Sequence, residues 1–256
     1  MKNLIYKFCC VLFFITPIPI LAISSKCIAH RGNNIKHTEN TFKSFESAYK
    51  IGSDGIELDI RHTKDGVGII FHDSKPKRLL VSKKNKKCRK YKKIKKQTST
   101  ELLSNCQHMN GEQILTLEDF LKKTVHWDIW KFFEFKDIPS NKSLKLIKKY
   151  TKDYSKIKFI SFKAKALSKL LLNFKDSVKK DQNFLKLYYF WIPGKPKWTP
   201  NFPFHSYWLF SKRILRLNKY YSLGLWVIDD EETIKWAKEL RVNFITTNDP
   251  RTCLMY

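Results

Sequence analysis

The sequence has no uninterrupted apolar run long enough to span a bilayer as a helix. Its apolar opening, MKNLIYKFCCVLFFITPIPILAISSK, is interrupted by Pro17 and Pro19, whereas a membrane-spanning helix needs roughly 20 apolar residues. Early lysines, a short apolar run and small residues before position 26 are typical of a secretory signal peptide. We therefore expect residues 1–25 to be a cleaved leader and the mature protein, residues 26–256, to be secreted or periplasmic. An uncleaved membrane anchor is the alternative.

Acidic residues are scarce. The chain has 23 Asp and Glu against 50 Lys and Arg, and its formal charge of +27 becomes +25 without Lys2 and Lys7 of the leader. Thirteen of the basic residues lie between Lys75 and Lys96, a segment that contains no acid. Such a charge favours anionic partners, so this segment is interpreted either as a patch for phosphate headgroups on an anionic membrane surface or as a solvated loop. No recognisable nucleic-acid-binding module accompanies it, and no nucleic-acid partner is expected.

No internal repeat is apparent, and 256 residues suit a single large domain. Without the leader, four cysteines remain, an even number that suits an oxidising compartment. They allow three pairings. A bridge between Cys88 and Cys106 would close a local loop within one polar segment, and the alternative is that it does not form. Cys27 and Cys253 lie near the chain ends, where buried thiols are the expectation.

Apolar β-rich runs alternate with helical patterns, which is typical of a parallel sheet covered by helices. Only about seven residues separate the second and third predicted strands, too few for a crossover helix because they reach at most roughly 25 Å. We therefore predict an α/β fold, a TIM-type (β/α)8 barrel that is irregular at this connection. The candidate strands are 27–30, 55–59, 68–72, 130–136, 156–162, 185–191, 223–228 and 244–247. The candidate helices are 40–49, 116–123, 140–150, 165–173 and 230–240, several of which open with an N-cap residue such as Thr116 or Ser140.

Polar residues gather at the carboxyl ends of these predicted strands. Side chains two apart on a strand share a face, so the acids of GIELDI point the same way, as do the acid and the lysine of FFEFK. Barrel active sites form at this end of the strands. We therefore expect one polar cluster at the barrel mouth, made of His30, Arg31, Glu57, Asp59, His72, Glu134 and Lys136.

Three carboxylates in one cluster need compensation. Two carboxylates about 4 Å apart repel by roughly 4 kcal/mol at an effective dielectric constant near 20. A hard divalent cation relieves this repulsion, and oxygen ligands favour Mg²⁺ or Ca²⁺. The alternative is a structural network in which Glu57 or Glu134 pairs with Lys136 or Arg31.

Two histidines beside such a cluster suit a general acid and a general base, because imidazole exchanges protons near neutral pH. Arg31 offers a planar fork that matches phosphate oxygens, and Lys136 adds a point charge. A cation, His30 and His72, and these two basic groups together indicate phosphodiester cleavage.

The motifs HRG (30–32), ENT (39–41), GSDGIELDIRHTKDG (52–66), FHD (71–73) and FFEFK (132–136) occur in an order and spacing that resembles the glycerophosphodiester phosphodiesterase family. The similarity extends more loosely through ISF at 160–162, LWVIDD around Trp226 and FITTNDP before Arg251. It covers nearly all of the mature chain. The usual proline before ENT is Thr38 here, the late ITD motif reads TTN, and the last helix is expected to be missing or very short after Pro250.

The resemblance implies a TIM-type barrel with a small insertion after the third strand, here the basic residues 74–114. It implies one divalent cation, Ca²⁺ or Mg²⁺, and a small-molecule glycerophosphodiester substrate split into sn-glycerol 3-phosphate and an alcohol. By resemblance, Glu57, Asp59 and Glu134 match the metal ligands and His30 and His72 the acid/base pair. Arg31 and Lys136 match phosphate-contacting positions, Glu39 a carboxylate near the site, and Trp226 a position that lines the pocket.

Two other functions stay open at this point. The aromatic- and proline-rich stretch 188–210 is interpreted as a wall for the substrate, as a surface at headgroup level, or as packing that orders a long loop. If it contacts lipid together with the basic insertion, a phospholipase D-like activity on lysophospholipids is the alternative. A catalytically silent binder of anionic lipid or polymer is the third hypothesis.

Overall fold

A closed ring of parallel strands is the centre of the fold. The computed structural model describes residues 25–178, 183–187, 199–203 and 222–256. Among them, eight parallel strands pair in the order β1, β11, β10, β9, β8, β7, β6, β2, and β2 pairs again with β1. The strands are β1 Lys26–Ala29, β2 Gly55–His62, β3 Gly68–Ile70, β4 Leu80–Ser82, β5 Cys106–His108, β6 Trp130–Phe135, β7 Ile157–Ser161, β8 Phe184–Leu187, β9 Thr199–Pro203, β10 Gly224–Trp226 and β11 Phe244–Thr247. The predicted TIM-type α/β fold is confirmed.

Two strands differ from the sequence-based assignment. β3 lies outside the ring and pairs antiparallel with β2, because the short connection between them lets the chain only return along the same strand. The eighth ring strand is instead β9, which lies in the stretch interpreted as a long connection. Its Pro200 and Pro203 lack the N–H that a strand interior normally uses, so its sequence carries no ordinary strand signal. The other residues of 188–210 lie outside the described part of the chain.

Six of the seven described α-helices begin directly after a residue whose side chain caps them, and α5 is the exception. They are α1 Phe42–Lys50, α2 Ser99–Asn105, α3 Leu117–Lys123, α4 Asn141–Tyr150, α5 Ala164–Phe174, α6 Glu231–Glu239 and α7 Pro250–Met255. The side chains of Thr41, Thr116, Ser140 and Asp230 each accept a hydrogen bond from the third residue of the following helix. The last helix, α7, is very short, as expected. None of the described helices is long and apolar enough to cross a membrane.

Apolar side chains fill the ring below the polar mouth. Ile28, Phe132, Ile160 and Phe244 form one buried cluster inside it. A larger cluster lies between the outer face of the strands and the helices and includes Phe45, Phe120, Phe133, Phe159 and Leu167. Because residues alternate between these two layers along each strand, the inward-facing positions above Phe132 and its neighbours are left for the polar residues of the site.

The basic insertion is a folded unit and not only a solvated loop. β4 and β5 form an antiparallel pair, and α2 begins with a capping box between Thr98 and Glu101. A disulfide joins Cys88 to Cys106, which realises the local bridge that the sequence left open. An apolar cluster packs the insertion against β3 and the residue after it, and its members are Ile69, Phe71, Leu80, Cys88, Ile94, Leu102, Cys106 and Ile114. Most of its lysines therefore point to solvent from an ordered scaffold.

A second disulfide joins Cys27 to Cys253, so the expectation of two buried thiols was wrong. Cys27 is on β1 and Cys253 is on α7, and α7 packs against β1, so that two residues 226 positions apart become neighbours. The predicted leader, apart from Ser25, lies outside the described residues, and its cleavage stays a prediction.

We expect the double variant Cys27→Ser/Cys253→Ser to lower the free energy of unfolding by about 5 kcal/mol, because this bridge closes nearly the whole chain. The bridge between Cys88 and Cys106 joins residues only 18 positions apart. The matched double variant Cys88→Ser/Cys106→Ser should therefore lower the free energy of unfolding by about 3 kcal/mol. Urea denaturation followed by tryptophan fluorescence measures both. A loss below about 1 kcal/mol for the first pair would contradict this prediction.

Candidate active site

Neighbouring strands β2 and β6 bring three carboxylates together. Asp59 is directly opposite Glu134 in the parallel register, and Glu57 shares the inner face of β2 with Asp59. One carboxylate oxygen from each lies within 4.8 Å of one from each of the others. All three side chains are buried, with Asp59 fully enclosed. The cluster predicted from the alternation of the strands is thus present at the barrel mouth.

Two basic side chains, Arg31 and Lys136, contact these carboxylates. Arg31 Nε lies 3.1 Å from Asp59 Oδ2, and Lys136 Nζ lies 2.9 Å from Asp59 Oδ1 and 2.5 Å from Glu134 Oε1. Burial alone would raise the pKa of Asp59, yet Lys136 and Arg31 hold it well below its usual range. Burial raises the pKa of Glu134 to about 7, and burial with the neighbouring Asp59 raises that of Glu57 well above its ordinary value.

The two basic groups do not satisfy every carboxylate oxygen of this cluster. Glu57 Oε1 is buried and makes no hydrogen bond, and Asp59 Oδ1 and Glu134 Oε1 share the single ammonium group of Lys136. Three carboxylates also exceed the two positive charges beside them. Hard oxygen ligands of this kind suit Mg²⁺ or Ca²⁺. The residues therefore fit one divalent cation. The structural network that was the alternative to a cation is also represented, since Lys136 pairs with Glu134 in the same site.

A left-handed turn after β1 aims Arg31 into the site. Arg31 and Gly32 have φ angles of 58° and 82°. A Cβ on Gly32 would lie 2.6 Å from a backbone carbon of Ser44, so only glycine fits there. The turn lets the Arg31 backbone N–H donate to Glu57 Oε2 at 3.1 Å. The tight left-handed turn thus explains why the third residue of the HRG motif is a glycine.

His30 has a defined protonation pattern. Its Nδ1 lies 2.8 Å from Asn248 Oδ1, and Asn248 Nδ2 donates to Asp229 at 2.8 Å. Because a carboxylate only accepts, Asp229 holds the Asn248 amide with its oxygen toward His30. His30 therefore carries its proton on Nδ1 and leaves Nε2 free, 4.0 Å from Glu57 Oε2. Burial, with Arg31 nearby, lowers the pKa of His30 to about 4.

His72 has a different partner. Its Nδ1 lies 2.8 Å from Asp73 Oδ1, and Arg78 Nε donates to the other oxygen of Asp73 at 2.7 Å. Burial lowers the pKa of His72, while Asp59 acts in the opposite direction. A carboxylate partner stabilises an imidazolium more than the amide partner of His30 does. The two histidines are therefore not equivalent.

The remaining predicted residues take distinct places. Trp226 lines the mouth, with its ring edge-on to that of Phe162 at 5.6 Å. Glu39 does not line the catalytic cavity. It accepts from Arg31 Nη1 at 3.0 Å and from both terminal nitrogens of Arg78, so it reaches the site through Arg31.

Several contributing residues were not singled out from the sequence. Asn40, with φ 59°, donates to Asp59 Oδ2 at 2.7 Å and accepts from the Asp59 N–H. Its place within the ENT motif was the available signal. Asp229 and Asn248 lie in the late motifs without an assigned role, and Arg78 is one of thirteen basic residues in its segment, so no pattern distinguished it.

These groups surround a cavity of about 520 Å³. One side is polar and includes His30, His72 and Lys136. The other side is apolar and includes Ile160, Phe162 and Trp226. A polar side and an apolar side in one cavity are the ordinary arrangement of a small-molecule site.

The chain is similar to proteins named as phosphodiesterases and as a lysophospholipase D, among them the following three. A Glycerophosphodiester phosphodiesterase from Caldanaerobacter subterraneus is 50% identical over 46 residues, 18% of this chain and 19% of that protein. The human Lysophospholipase D GDPD1 is 46% identical over 54 residues, 21% of this chain and 17% of the relative. The solved phosphodiesterase from Oleispira antarctica, in complex with the product sn-glycerol-3-phosphate, superposes with a TM-score of 0.73 at 18% identity, over 91% of this chain and 96% of the other.

At that identity the structural likeness shows the shared fold. The curated relatives are matched over about half of their length or less. The family model for the Glycerophosphoryl diester phosphodiesterase family, in contrast, matches residues 30–252. This range contains every residue of the site described above, and the chain therefore belongs to the glycerophosphoryl diester phosphodiesterase family.

Proposed function

We propose that the protein hydrolyses glycerophosphodiesters to sn-glycerol 3-phosphate and an alcohol, with one divalent cation, Ca²⁺ or Mg²⁺. The observation that carries this proposal is the cluster of Glu57, Asp59 and Glu134 beside two differently paired histidines in one cavity. Membership of the family supports it, as does the product bound by the Oleispira antarctica relative.

The proposed division of work follows from the partners of the histidines. His30, neutral and with Nε2 free, takes the proton of the attacking oxygen. His72, whose imidazolium Asp73 stabilises, gives a proton to the leaving alcohol. Lys136 and Arg31 counter the charge on the phosphoryl oxygens. The cation, held by Glu57, Asp59 and Glu134, would supply Lewis-acid stabilisation of the same charge.

Release of glycerol 3-phosphate from glycerophosphocholine by the mature protein tests the function. We expect no release in chelator and restored release after addition of Mg²⁺ or Ca²⁺. Absence of release with either cation, from any glycerophosphodiester, would overturn the proposal and return attention to a silent binder.

Hydrolysis of lysophospholipids is the second candidate, favoured by the apolar wall of Ile160, Phe162 and Trp226 and by the human relative's name. In this case the basic insertion would hold the protein at an anionic membrane surface. Comparing kcat/KM for glycerophosphocholine and lysophosphatidylcholine separates the two candidates. The predicted leader and the two disulfides support a secreted or periplasmic location.

Asn248 is expected to act as a positioning residue for His30. Asn248→Leu keeps the approximate size but removes the acceptor for Nδ1–H, so we expect kcat to fall about tenfold, the effect of roughly 1.4 kcal/mol, with KM changed less than threefold. Asn110→Leu, at an exposed turn, is the control. Steady-state kinetics on glycerophosphocholine measure both, and an Asn248→Leu variant with wild-type kcat would refute this role.

A further inference from the structure

Arg61 is a cation at the barrel mouth that the proposed mechanism does not use. It lies two residues after Asp59 on β2, so it shares the inner face and stands about 7 Å further toward the rim. Its Nε donates to the backbone oxygen of His72 at 2.6 Å. Within the described part of the chain, no carboxylate oxygen lies within 4.0 Å of its guanidinium nitrogens.

Arg61 differs in this respect from Arg31. Arg31 pairs with Glu39 at 3.0 Å and with Asp59 at 3.1 Å. Arg61 is half-buried and fixed by one hydrogen bond, and it has no such carboxylate partner among the described residues. A buried or half-buried charge without a partner is costly unless a ligand supplies one.

A second, smaller cavity of about 200 Å³ adjoins Arg61. Lys93 and Lys95, at and just after the start of the short 3₁₀ helix Ile94–Lys96 of the insertion, line one side of it. Lys163, which directly precedes α5, lines another side. Arg61 and Lys163 also line the catalytic cavity, so the two cavities share a wall. The basic insertion thus places two of its exposed lysines in a cavity that adjoins the catalytic one.

The charge of this smaller cavity is positive. Its acidic lining residue, Asp137, bonds to the ring and the backbone N–H of His62. Arg61, Lys93, Lys95 and Lys163 therefore outnumber the acid four to one. Because Arg61 and Lys163 line both cavities, a diester bound in the catalytic cavity can extend one arm, and an anionic group on it, toward this cluster. The glycerol arm of a glycerophosphodiester is neutral, so such a group belongs to the alcohol.

We propose that Arg61, Lys93, Lys95 and Lys163 form a second anion subsite that binds a carboxylate or phosphate on the alcohol arm of the diester. The proposal rests on the proposed function and narrows its substrate class to diesters of anionic alcohols. Soluble diesters and lysolipid headgroups share this chemistry, and the experiment distinguishes them.

Glycerophosphoserine and glycerophosphoethanolamine are the matched test substrates, since they differ by one carboxylate. We expect wild-type kcat/KM to favour glycerophosphoserine about tenfold, the effect of roughly 1.4 kcal/mol. Arg61→Gln and Lys93→Gln/Lys95→Gln should each reduce that ratio to about 3 or less. The control Lys142→Gln/Lys145→Gln makes the same charge change on the exposed face of α4 and should keep the ratio. Because the ratio compares two substrates in one variant, a general loss of turnover cancels.

Calorimetric binding of the same two diesters, in chelator, separates this proposal from the proposed function. Tighter binding of glycerophosphoserine that Arg61→Gln removes, without turnover in any cation, would support the subsite and overturn the hydrolase. Turnover with equal kcat/KM and equal binding would overturn the subsite alone. The last outcome is a preference for lysophosphatidylserine over lysophosphatidylethanolamine in vesicles without any preference between the soluble diesters. The membrane surface would then cause the preference, and the subsite would be overturned.

Discussion

Replacement of His30 or His72 by alanine is expected to lower kcat by about 10²- to 10⁴-fold, the usual contribution of a positioned acid or base. Both imidazoles face one cavity, and the carboxyl groups of raised pKa beside them, Glu57 and Glu134, are assigned to the cation in the proposed mechanism. The exposed His126, which precedes β6 at the opposite end of the ring, provides the control variant His126→Ala. Retention of turnover within a few-fold of wild type in either site variant would show that the assignment is wrong.

The two histidines should also be distinguishable from each other. A p-nitrophenyl ester of glycerol 3-phosphate has a leaving group that departs without a proton. If His72 protonates the leaving alcohol, His72→Ala should recover most of its loss on this substrate, whereas His30→Ala should not. The reverse result would exchange the two roles, and equal recovery would contradict the division of work that the Asn248 and Asp73 contacts support.

Glu57→Gln is expected to weaken binding of the divalent cation at least 100-fold and to abolish turnover at ordinary cation concentrations. Gln keeps the size of the side chain, but it removes a charge, and ligand charge count sets the affinity of oxygen sites for Ca²⁺. Calorimetric titration with Ca²⁺ and Mg²⁺ measures the loss, and Glu232→Gln, on the exposed side of α6, is the control. Unchanged cation affinity in Glu57→Gln would exclude Glu57 as a ligand.

The same titration should depend on pH in a defined direction. Burial raises the pKa of Glu134 to about 7 and that of Glu57 above its usual range, so without the cation Glu134 is partly protonated near neutral pH and both carboxyls take up protons at a higher pH than ordinary glutamates do. The cation binds the deprotonated form and must displace these protons. Its affinity should therefore fall as the pH decreases below about 7. Titrations in two buffers of different ionisation enthalpy count the released protons, and a pH-independent affinity would contradict this expectation.

The sequence by itself determined the local elements and the composition of the site. Side-chain direction along a strand follows from the backbone alone, so Glu57, Asp59 and Glu134 were predictable as one inward-facing cluster. Helix starts followed from capping side chains such as Thr116 and Ser140, because these bonds join residues only three apart. The motifs around the two histidines carried the family resemblance for the same reason, since each is contiguous in the chain.

Only the tertiary structure decided what depends on contacts between distant residues. The pairing of Cys27 with Cys253, the closure of the ring by β9 in place of β3, and the bond from His30 to Asn248, 218 residues away, have no local signal. The same holds for Arg61 beside Lys93 and Lys163. Such contacts form because the ring brings the ends of all its strands to one mouth, and packing across that ring, not neighbouring sequence, selects the partners.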